Sequence, residues 1–190
     1  MLMKVKQRGY SNICMAFVAT VLYFGLIFYL YPVCLAQDDN IFQSIISGSY
    51  LGYGNAHILY MKYAFAWILT KLYQIIPVIE WYGVVFVGIY IVCLFLMLYK
   101  IIEIQKQTWM QLIGVTAFLA LFTELFMEAI IEINFSYVAA FAGMTAVFLL
   151  TVNEDKKLKE NIVIVSVMLL LAYLIRYEVG YIAIGFIGIE

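Results

Sequence analysis

Charged residues are scarce in this chain of 190 residues, because Asp, Glu, Lys and Arg together make up only 12% of it. Histidine occurs once and proline twice. Soluble domains carry about 25% charged residues and about half apolar residues, whereas 66% of this chain is hydrophobic and its mean hydropathy is +1.00. The scarcity of charge therefore excludes an ordinary soluble domain and predicts an all-α, polytopic membrane protein.

The few cysteines and basic residues exclude further classes of site. Cys14, Cys34 and Cys93 lie in apolar stretches without CxxC spacing, so neither a disulfide framework nor a zinc site is expected. No basic run or aromatic RNA-binding motif is present, so no nucleic-acid partner is expected. The apolar stretch 13–36 is too long for the core of a signal peptide and lacks a cleavage pattern, which indicates a retained anchor.

Long apolar stretches are what the chain has in abundance. They run through 13–36, 58–70, 81–102, 109–127, 133–152 and 162–189. About 20 apolar residues cross a bilayer as a helix, and the polar connections here are short. An antiparallel array of helices satisfies the backbone of such a chain within the helices themselves.

The basic residues decide how segment 57–76 is interpreted. They cluster in three places, at Lys4, Lys6 and Arg8, at Lys100 and Lys106, and at Lys156, Lys157 and Lys159. Basic clusters favour the cytoplasmic side, and all three are cytoplasmic only if 57–76 lies along the membrane surface. Lys62, Lys71, Trp67 and nearby tyrosines suit such an interfacial helix. The alternative is a spanning helical hairpin that turns at Pro77.

The surface interpretation predicts five spans with the N-terminus in the cytoplasm. The spans are expected at 13–36, 81–102, 109–127, 133–152 and 162–182. The external loop 37–80 would hold a short helix from Asn40 to Ser47 and a longer one from His57 to Ile76.

The whole chain, 1–190, is expected to form a single transmembrane module. It would consist of the first span within 1–36, the external loop 37–80, and a helix bundle over 81–190. Because the chain stops at Glu190 beside an apolar run without a polar tail, we expect it to be the N-terminal part of a longer protein.

An acidic pair opens the external loop. Asp38 and Asp39 follow the first span directly, and the Gly- and Tyr-rich run SGSYLGYGNAH comes soon after. The plainest interpretation is that the two carboxylates mark the water side and cap the next helix. The alternative is a reaction site at the membrane interface.

This loop resembles that of the integral-membrane glycosyltransferases of the C-type fold (GT-C), in which an acidic residue or pair opens a large first external loop with two helices along the membrane. The matching residues are Asp38-Asp39, Phe42, Ile45, Ser47-Gly48, Tyr50, Gly52, Gly54-Asn55-Ala56-His57 and Tyr60 to Tyr63. The runs NFSYVAAFAGMTAVFLLT at 134–151 and LIRYE at 174–178 look like later parts of uncharacterised bacterial membrane proteins of this type.

The resemblance implies a glycosyltransferase that moves a hexose or pentose from a polyprenyl-phosphate donor to a cell-envelope acceptor at the external membrane face. Its expected partners are the lipid-linked sugar and membrane lipids. Sugar transfer needs a carboxylate for the acceptor hydroxyl and a cation for the phosphate leaving group. Asp38 or Asp39 is the candidate base. Binding of a divalent cation by this pair remains an alternative, and no other metal site is expected.

Arg176 is the candidate cation, because it is the only arginine beyond Arg8 and falls in an apolar stretch near the expected outer face. An arginine within a membrane segment suggests a functional site. The alternative is that it snorkels to the interface or pairs with Glu178.

Other polar residues are weaker candidates for substrate binding. His57 and Lys62 are placed to contact phosphate or acceptor, although interfacial anchoring explains both. Glu124, Glu128 and Glu132 recur on one helical face. Of these, Glu124 is expected to lie deepest, where it is a candidate partner of Arg176. In the family a second acidic position often assists, and Glu128 and Glu132 are the candidates for it.

Three other functions remain open from the sequence. A polysaccharide repeat-unit polymerase would use external arginines, of which only Arg176 is available. A flippase or permease would show broken helices at mid-membrane and internal repeats, and no repeat is visible. A membrane scaffold subunit would leave Asp38, Asp39 and Arg176 without a role.

Overall fold

The protein is predominantly helical in the residues that its computed structural model describes, namely the backbone of 2–152 and 158–188 and the side chains of 9–152 and 162–188. Two two-residue strands interrupt the helices. In chain order the elements are α1 Leu2–Leu30, β1 Cys34–Leu35, α2 Gln37–Ser47, α3 Tyr63–Ile75, α4 Trp81–Ile104, α5 Thr108–Ile131, β2 Glu132–Ile133, α6 Phe135–Thr151, α7 Leu158–Ile175 and α8 Tyr177–Ile187. The prediction of an all-α chain is confirmed.

Three helices are long and apolar enough to cross a membrane. They are Gly9–Leu30, Trp81–Ile104 and Thr108–Ile131. The helices Phe135–Thr151, Ile162–Ile175 and Tyr177–Ile187 are apolar but shorter. The described residues thus support a membrane protein, with three helices of spanning length where the sequence predicted five spans. Lys156 and Lys157 of the third basic cluster lie outside the described residues.

The first span was predicted to continue to residue 36, but the helix ends earlier. Helix α1 stops at Leu30 because Pro32 has no backbone N–H and disfavours helical geometry in the residue before it. The chain then becomes extended, and β1 pairs in parallel with β2, with Cys34 opposite Glu132 and Leu35 opposite Ile133.

The last predicted span, 162–182, is not one helix. Arg176 has φ −147° and ψ 107°, which separates α7 from α8. The two helices come close at Gly180, where an added Cβ would lie 2.7 Å from the Cα of Tyr173. A glycine at this position therefore permits the close packing of α8 on α7.

The two loop helices are present with shifted boundaries. Helix α2, Gln37–Ser47, begins earlier than the predicted Asn40, and α3, Tyr63–Ile75, begins later than the predicted His57. Helix α3 has 13 residues and is therefore about 20 Å long, which is short of the roughly 30 Å of a bilayer core. Its length favours the surface interpretation over a spanning hairpin.

Contacts within the chain divide it into two compact units. The first unit contains the chain up to Val33 and Ile91–Ile131, so it consists of α1, most of α4, and α5. The second unit contains Cys34–Tyr90 and the chain from Glu132 onward, so it consists of both strands, α2, α3, the start of α4, and α6 to α8.

Small side chains let the helices of the second unit approach closely. Ala139, Ala142 and Ala146 of α6 are fully buried. A Cβ added at Gly143 would lie 3.1 Å from the Cβ of Ala183 on α8. Small residues at helix contacts are typical of membrane proteins, where van der Waals packing holds helices together.

Candidate functional site

Asp39 joins the starts of three helices in the second unit. The backbone N–H of Ala36 extends the strand pairing by donating to the carbonyl of Ile133 at 2.9 Å, which sets α2 beside the start of α6. Asp39 then lies in the first turn of α2 with 0% of its surface exposed. Its Oδ1 accepts hydrogen bonds from the Tyr82 hydroxyl at 2.6 Å and from the Phe135 backbone N–H at 2.9 Å.

The second carboxylate oxygen of Asp39 is buried without a hydrogen-bond partner among the described residues. Burial raises the pKa of Asp39 from 3.8 to about 6, because it disfavours the charged form. The hydrogen bonds from Tyr82 and Phe135 act in the opposite direction, and the charge of Asp38 adds to the rise. Asp39 is therefore an acid whose neutral form is favoured by its surroundings.

Further hydrogen bonds extend from Asp39 to α3 and α2. The Tyr82 backbone N–H donates to the Tyr73 hydroxyl at 3.1 Å, and this hydroxyl donates to Glu80 Oε2 at 3.3 Å. Gln43 Nε2 donates to the same oxygen. Sequence reasoning missed Gln43, and it included Tyr73 and Tyr82 only among the tyrosines near the expected interfacial helix. No sequence signal indicates that the Tyr82 N–H contacts Tyr73 or that Gln43 contacts Glu80, which lies 37 residues away.

Arg176 lies at the break between α7 and α8 rather than inside a continuous helix. Its Nε donates to Glu178 Oε2 at 2.9 Å, and a terminal nitrogen donates to the hydroxyl of Ser136. The guanidinium carbon lies 5.5 Å from the ring centroids of Tyr60 and Phe135. The pairing with Glu178 that the sequence offered as an alternative is thus present, and Ser136 and the two rings are partners that it did not indicate.

Phe135 of the second unit contacts both the first turn of α2, through Asp39, and Arg176. Its backbone N–H contacts Asp39, and its ring faces the Arg176 guanidinium. The rings of Phe42 and Tyr60 also pack on Phe135, with centroids at 5.4 Å and 6.3 Å. Tyr60 holds a positive φ of 70°, a conformation that non-glycine residues adopt only when their surroundings impose it.

The structure separates the two members of the acidic pair. Asp38 is exposed in the first turn of α2, whereas Asp39 is buried. Only Asp38 is therefore accessible to an acceptor molecule.

His57 and Lys62 are held by local contacts. The backbone N–H of His57 donates to the Asn55 side-chain oxygen at 2.9 Å, and its ring nitrogen Nδ1 lies 3.1 Å from the same oxygen. Lys62 Nζ lies 5.0 Å from the Tyr173 ring centroid and 4.6 Å from that of Tyr177. Lys62 thus packs between two aromatic rings, which fits an anchoring role.

The predicted glutamates are placed elsewhere. Glu124 and Glu128 are exposed on α5 of the first unit, and Glu132 is exposed on β2 of the second. Arg176 belongs to the second unit, where Glu178 is its ion-pair partner.

An apolar groove of about 320 Å³ runs between α6 and α8. It is lined by Ala140, Gly143, Met144, Val147, Val179, Ile182, Ala183 and Phe186. On α6, positions 140, 143, 144 and 147 continue the helical face that begins at Ser136. On α8, the lining begins at Val179, one turn after Arg176. The groove therefore continues from the pair formed by Arg176 and Ser136.

Comparison with known proteins finds no matching protein family, no matching curated protein and no matching solved structure. Within the described residues, no group of three or more His, Cys, Asp or Glu side chains is placed to hold a metal ion.

Proposed function

We propose that the chain is a GT-C-like membrane glycosyltransferase that moves a sugar from a polyprenyl-phosphate donor to a cell-envelope hydroxyl at the external face of the bacterial cytoplasmic membrane. In this proposal the N-terminus lies in the cytoplasm, as the basic clusters favour. The observation that carries the proposal is the position of Arg176 at one end of an apolar groove, close to the loop that Asp38 and Asp39 open.

Arg176 and the groove together fit an amphipathic ligand with a phosphate head. The two hydrogen bonds described for the guanidinium use two of its five N–H donors, and 32% of its side chain is exposed. A guanidinium binds phosphate oxygens through paired N–H donors. From Ser136 to Val147 the face of α6 extends about 16 Å, which accommodates a stretch of a single apolar chain.

The acidic pair supplies the acceptor side of the reaction. Asp38 would take the proton of the acceptor hydroxyl as its oxygen bonds to the anomeric carbon of the sugar. The bond from that carbon to the phosphate oxygen breaks, and the polyprenyl phosphate leaves with its charge facing Arg176. Asp39 acts as a positioning residue, because its hydrogen bonds to Tyr82 and Phe135 fix the first turn of α2.

A lipid-binding test avoids the need to know the sugar. A photoreactive polyprenyl phosphate would be crosslinked to the full chain in vesicles. Ala140→Phe fills the groove and is expected to reduce crosslinking about tenfold or more, as is Arg176→Gln. The matched control is Ala120→Phe, which fills a groove of about 450 Å³ on α5 whose lining has no charged side chain in the described chain. If Ala140→Phe and Arg176→Gln crosslink as strongly as Ala120→Phe and the parent, the donor site is refuted.

Transfer itself is tested with radiolabelled polyprenyl-phosphate hexoses and pentoses in the same vesicles. Asp38→Asn is expected to lower the rate by about 10²- to 10⁴-fold, the range of a lost general base, while the thermal stability stays unchanged. Lys106→Gln removes an exposed charge from the first unit and serves as the charge control. Full activity of Asp38→Asn would remove the base assignment.

A further inference from the structure

A second cleft lies in the external loop and shares no lining residue with the groove beside Arg176. Two glycines allow it to form. Gly48 ends α2 with a φ of 89°, and a Cβ added there would lie 2.8 Å from the backbone of Gly54. A Cβ on Gly54 would lie 2.7 Å from the Ile46 carbonyl and 2.8 Å from the Thr70 methyl. The loop is thereby pressed between α2 and α3, and residues 53–57 form one wall of the cleft.

The cleft has a volume of about 400 Å³. Residues 53–57 form one side and α3 the other, with Tyr63, Trp67, Lys71 and Gln74 on the helix. No lining residue in the described chain carries a carboxylate. Lys71 is the cation of the cleft, and its Nζ is held by Gln74 at 2.9 Å and lies 5.8 Å from the Trp67 ring centroid.

The polar groups of the cleft offer both donors and acceptors. The Lys71 ammonium has three N–H donors and uses one on Gln74. The Asn55 oxygen orients the ring of His57, which packs at 5.0 Å against the ring of Tyr63. A cation without a neighbouring carboxylate suits an anion, whereas imidazole and amide groups suit hydroxyls. Exposed Tyr and Trp rings supply faces for stacking and for contact with the membrane interface.

We propose that this cleft binds a polyol phosphate, with the phosphate on Lys71 and the hydroxyls on Asn55 and His57. Two sources carry this chemistry: the headgroup of a membrane lipid such as phosphatidylglycerol, and a soluble glycerol or sugar phosphate. The proposal goes beyond the transferase function, because it depends on neither Arg176 nor the acidic pair. It gives the external loop a ligand of its own.

Trp67 provides a reporter within the cleft. The chain has three tryptophans, so replacing Trp81 and Trp109 by Phe leaves Trp67 as the only source of indole fluorescence. The full chain in detergent is titrated with short-chain phosphatidylglycerol, short-chain phosphatidylcholine and glycerol phosphate. We expect a saturable response to phosphatidylglycerol, and Lys71→Gln is expected to weaken it about tenfold or more, since it removes a charge-assisted hydrogen bond.

The control is Lys106→Gln, which removes an exposed lysine of the first unit and should leave the response unchanged. A saturable response to glycerol phosphate as well identifies a soluble source, and a response to phosphatidylglycerol alone identifies the lipid. An equal response to phosphatidylcholine, or equal binding by Lys71→Gln and the parent, overturns the proposal. Arg176→Gln should bind as the parent does, so failure of the transferase proposal leaves this result intact.

Discussion

The two units of the protein differ in how they accommodate a buried charged group. In the first unit Lys100 is 4% exposed and pairs with Glu103 at 2.9 Å, three residues further along the same helix. In the second unit Asp39 is fully buried, and its partners Tyr82 and Phe135 are neutral and lie 43 and 96 residues away. The first unit satisfies its charge locally, whereas the second depends on tertiary structure to do so.

The buried carboxylate of Asp39 carries an energetic cost that the paired Lys100 of the first unit does not. A buried carboxylate without a cation is unfavourable, because desolvation penalises its charged form. Phe135, whose N–H contacts Asp39, also packs against the strained Tyr60 and the partly exposed Arg176. Unfavourable groups that cluster in this way are expected at functional sites.

The largest effect is expected from removing the Asp39 carboxylate. Asp39→Ala leaves the Tyr82 hydroxyl and the Phe135 N–H buried without their acceptor. Each such donor costs about 1 to 3 kcal/mol, so we expect a loss of roughly 2 to 6 kcal/mol in unfolding free energy. Thermal unfolding in detergent, followed by size-exclusion chromatography, measures it. A loss below about 1 kcal/mol would mean that Asp39 does not hold the three helix starts together.

The pH dependence of stability isolates the charge of Asp39. Because its pKa is raised from 3.8 to about 6, the folded protein holds this proton more tightly than the unfolded chain. The resulting stabilisation is complete below the ordinary pKa and is lost as the pH rises through the folded pKa. We expect the difference between the parent and Asp39→Asn to shift by up to about 3 kcal/mol in favour of the variant between acidic and neutral pH. A parallel pH profile in both proteins would contradict the raised pKa.

The sequence predicted an all-α membrane protein and placed α4, α5 and α6 close to their observed bounds, because apolar runs and polar breaks determine them locally. It also singled out the Asp38-Asp39 pair and Arg176. It missed the break at Arg176, since LIRYE reads as part of a continuous apolar segment. The partners of Asp39 could not be predicted either. Phe135 lies beside it through the pairing of β1 and β2, which have only two residues each, and Tyr82 is 43 residues away in the chain.

Gly→Ala substitutions compare the packing of the two units, because each one adds the same single methyl group. Gly180→Ala places a methyl group 2.7 Å from the Tyr173 backbone, so we expect a loss of about 1 to 3 kcal/mol from overpacking. Gly25→Ala on α1 meets no described atom within 4 Å and should stabilise the helix by roughly 0.5 to 1 kcal/mol. Both are measured as shifts in thermal unfolding. Opposite signs support the tighter packing of the second unit, and equal signs contradict it.

The smallest effect is expected from a hydrogen bond of the first unit. Thr123 Oγ1 lies 3.1 Å from the Tyr23 hydroxyl and also contacts its own helix at the Leu119 carbonyl, 2.7 Å away. Thr123→Val keeps the shape and removes the hydroxyl. Hydrogen bonds between membrane helices average about 0.6 kcal/mol, so we expect a loss below about 1 kcal/mol. The same unfolding assay compares it with Asp39→Ala. If the two losses are equal, the long-range contacts of the second unit carry no more stability than a neutral contact in the first, and the contrast between the units fails.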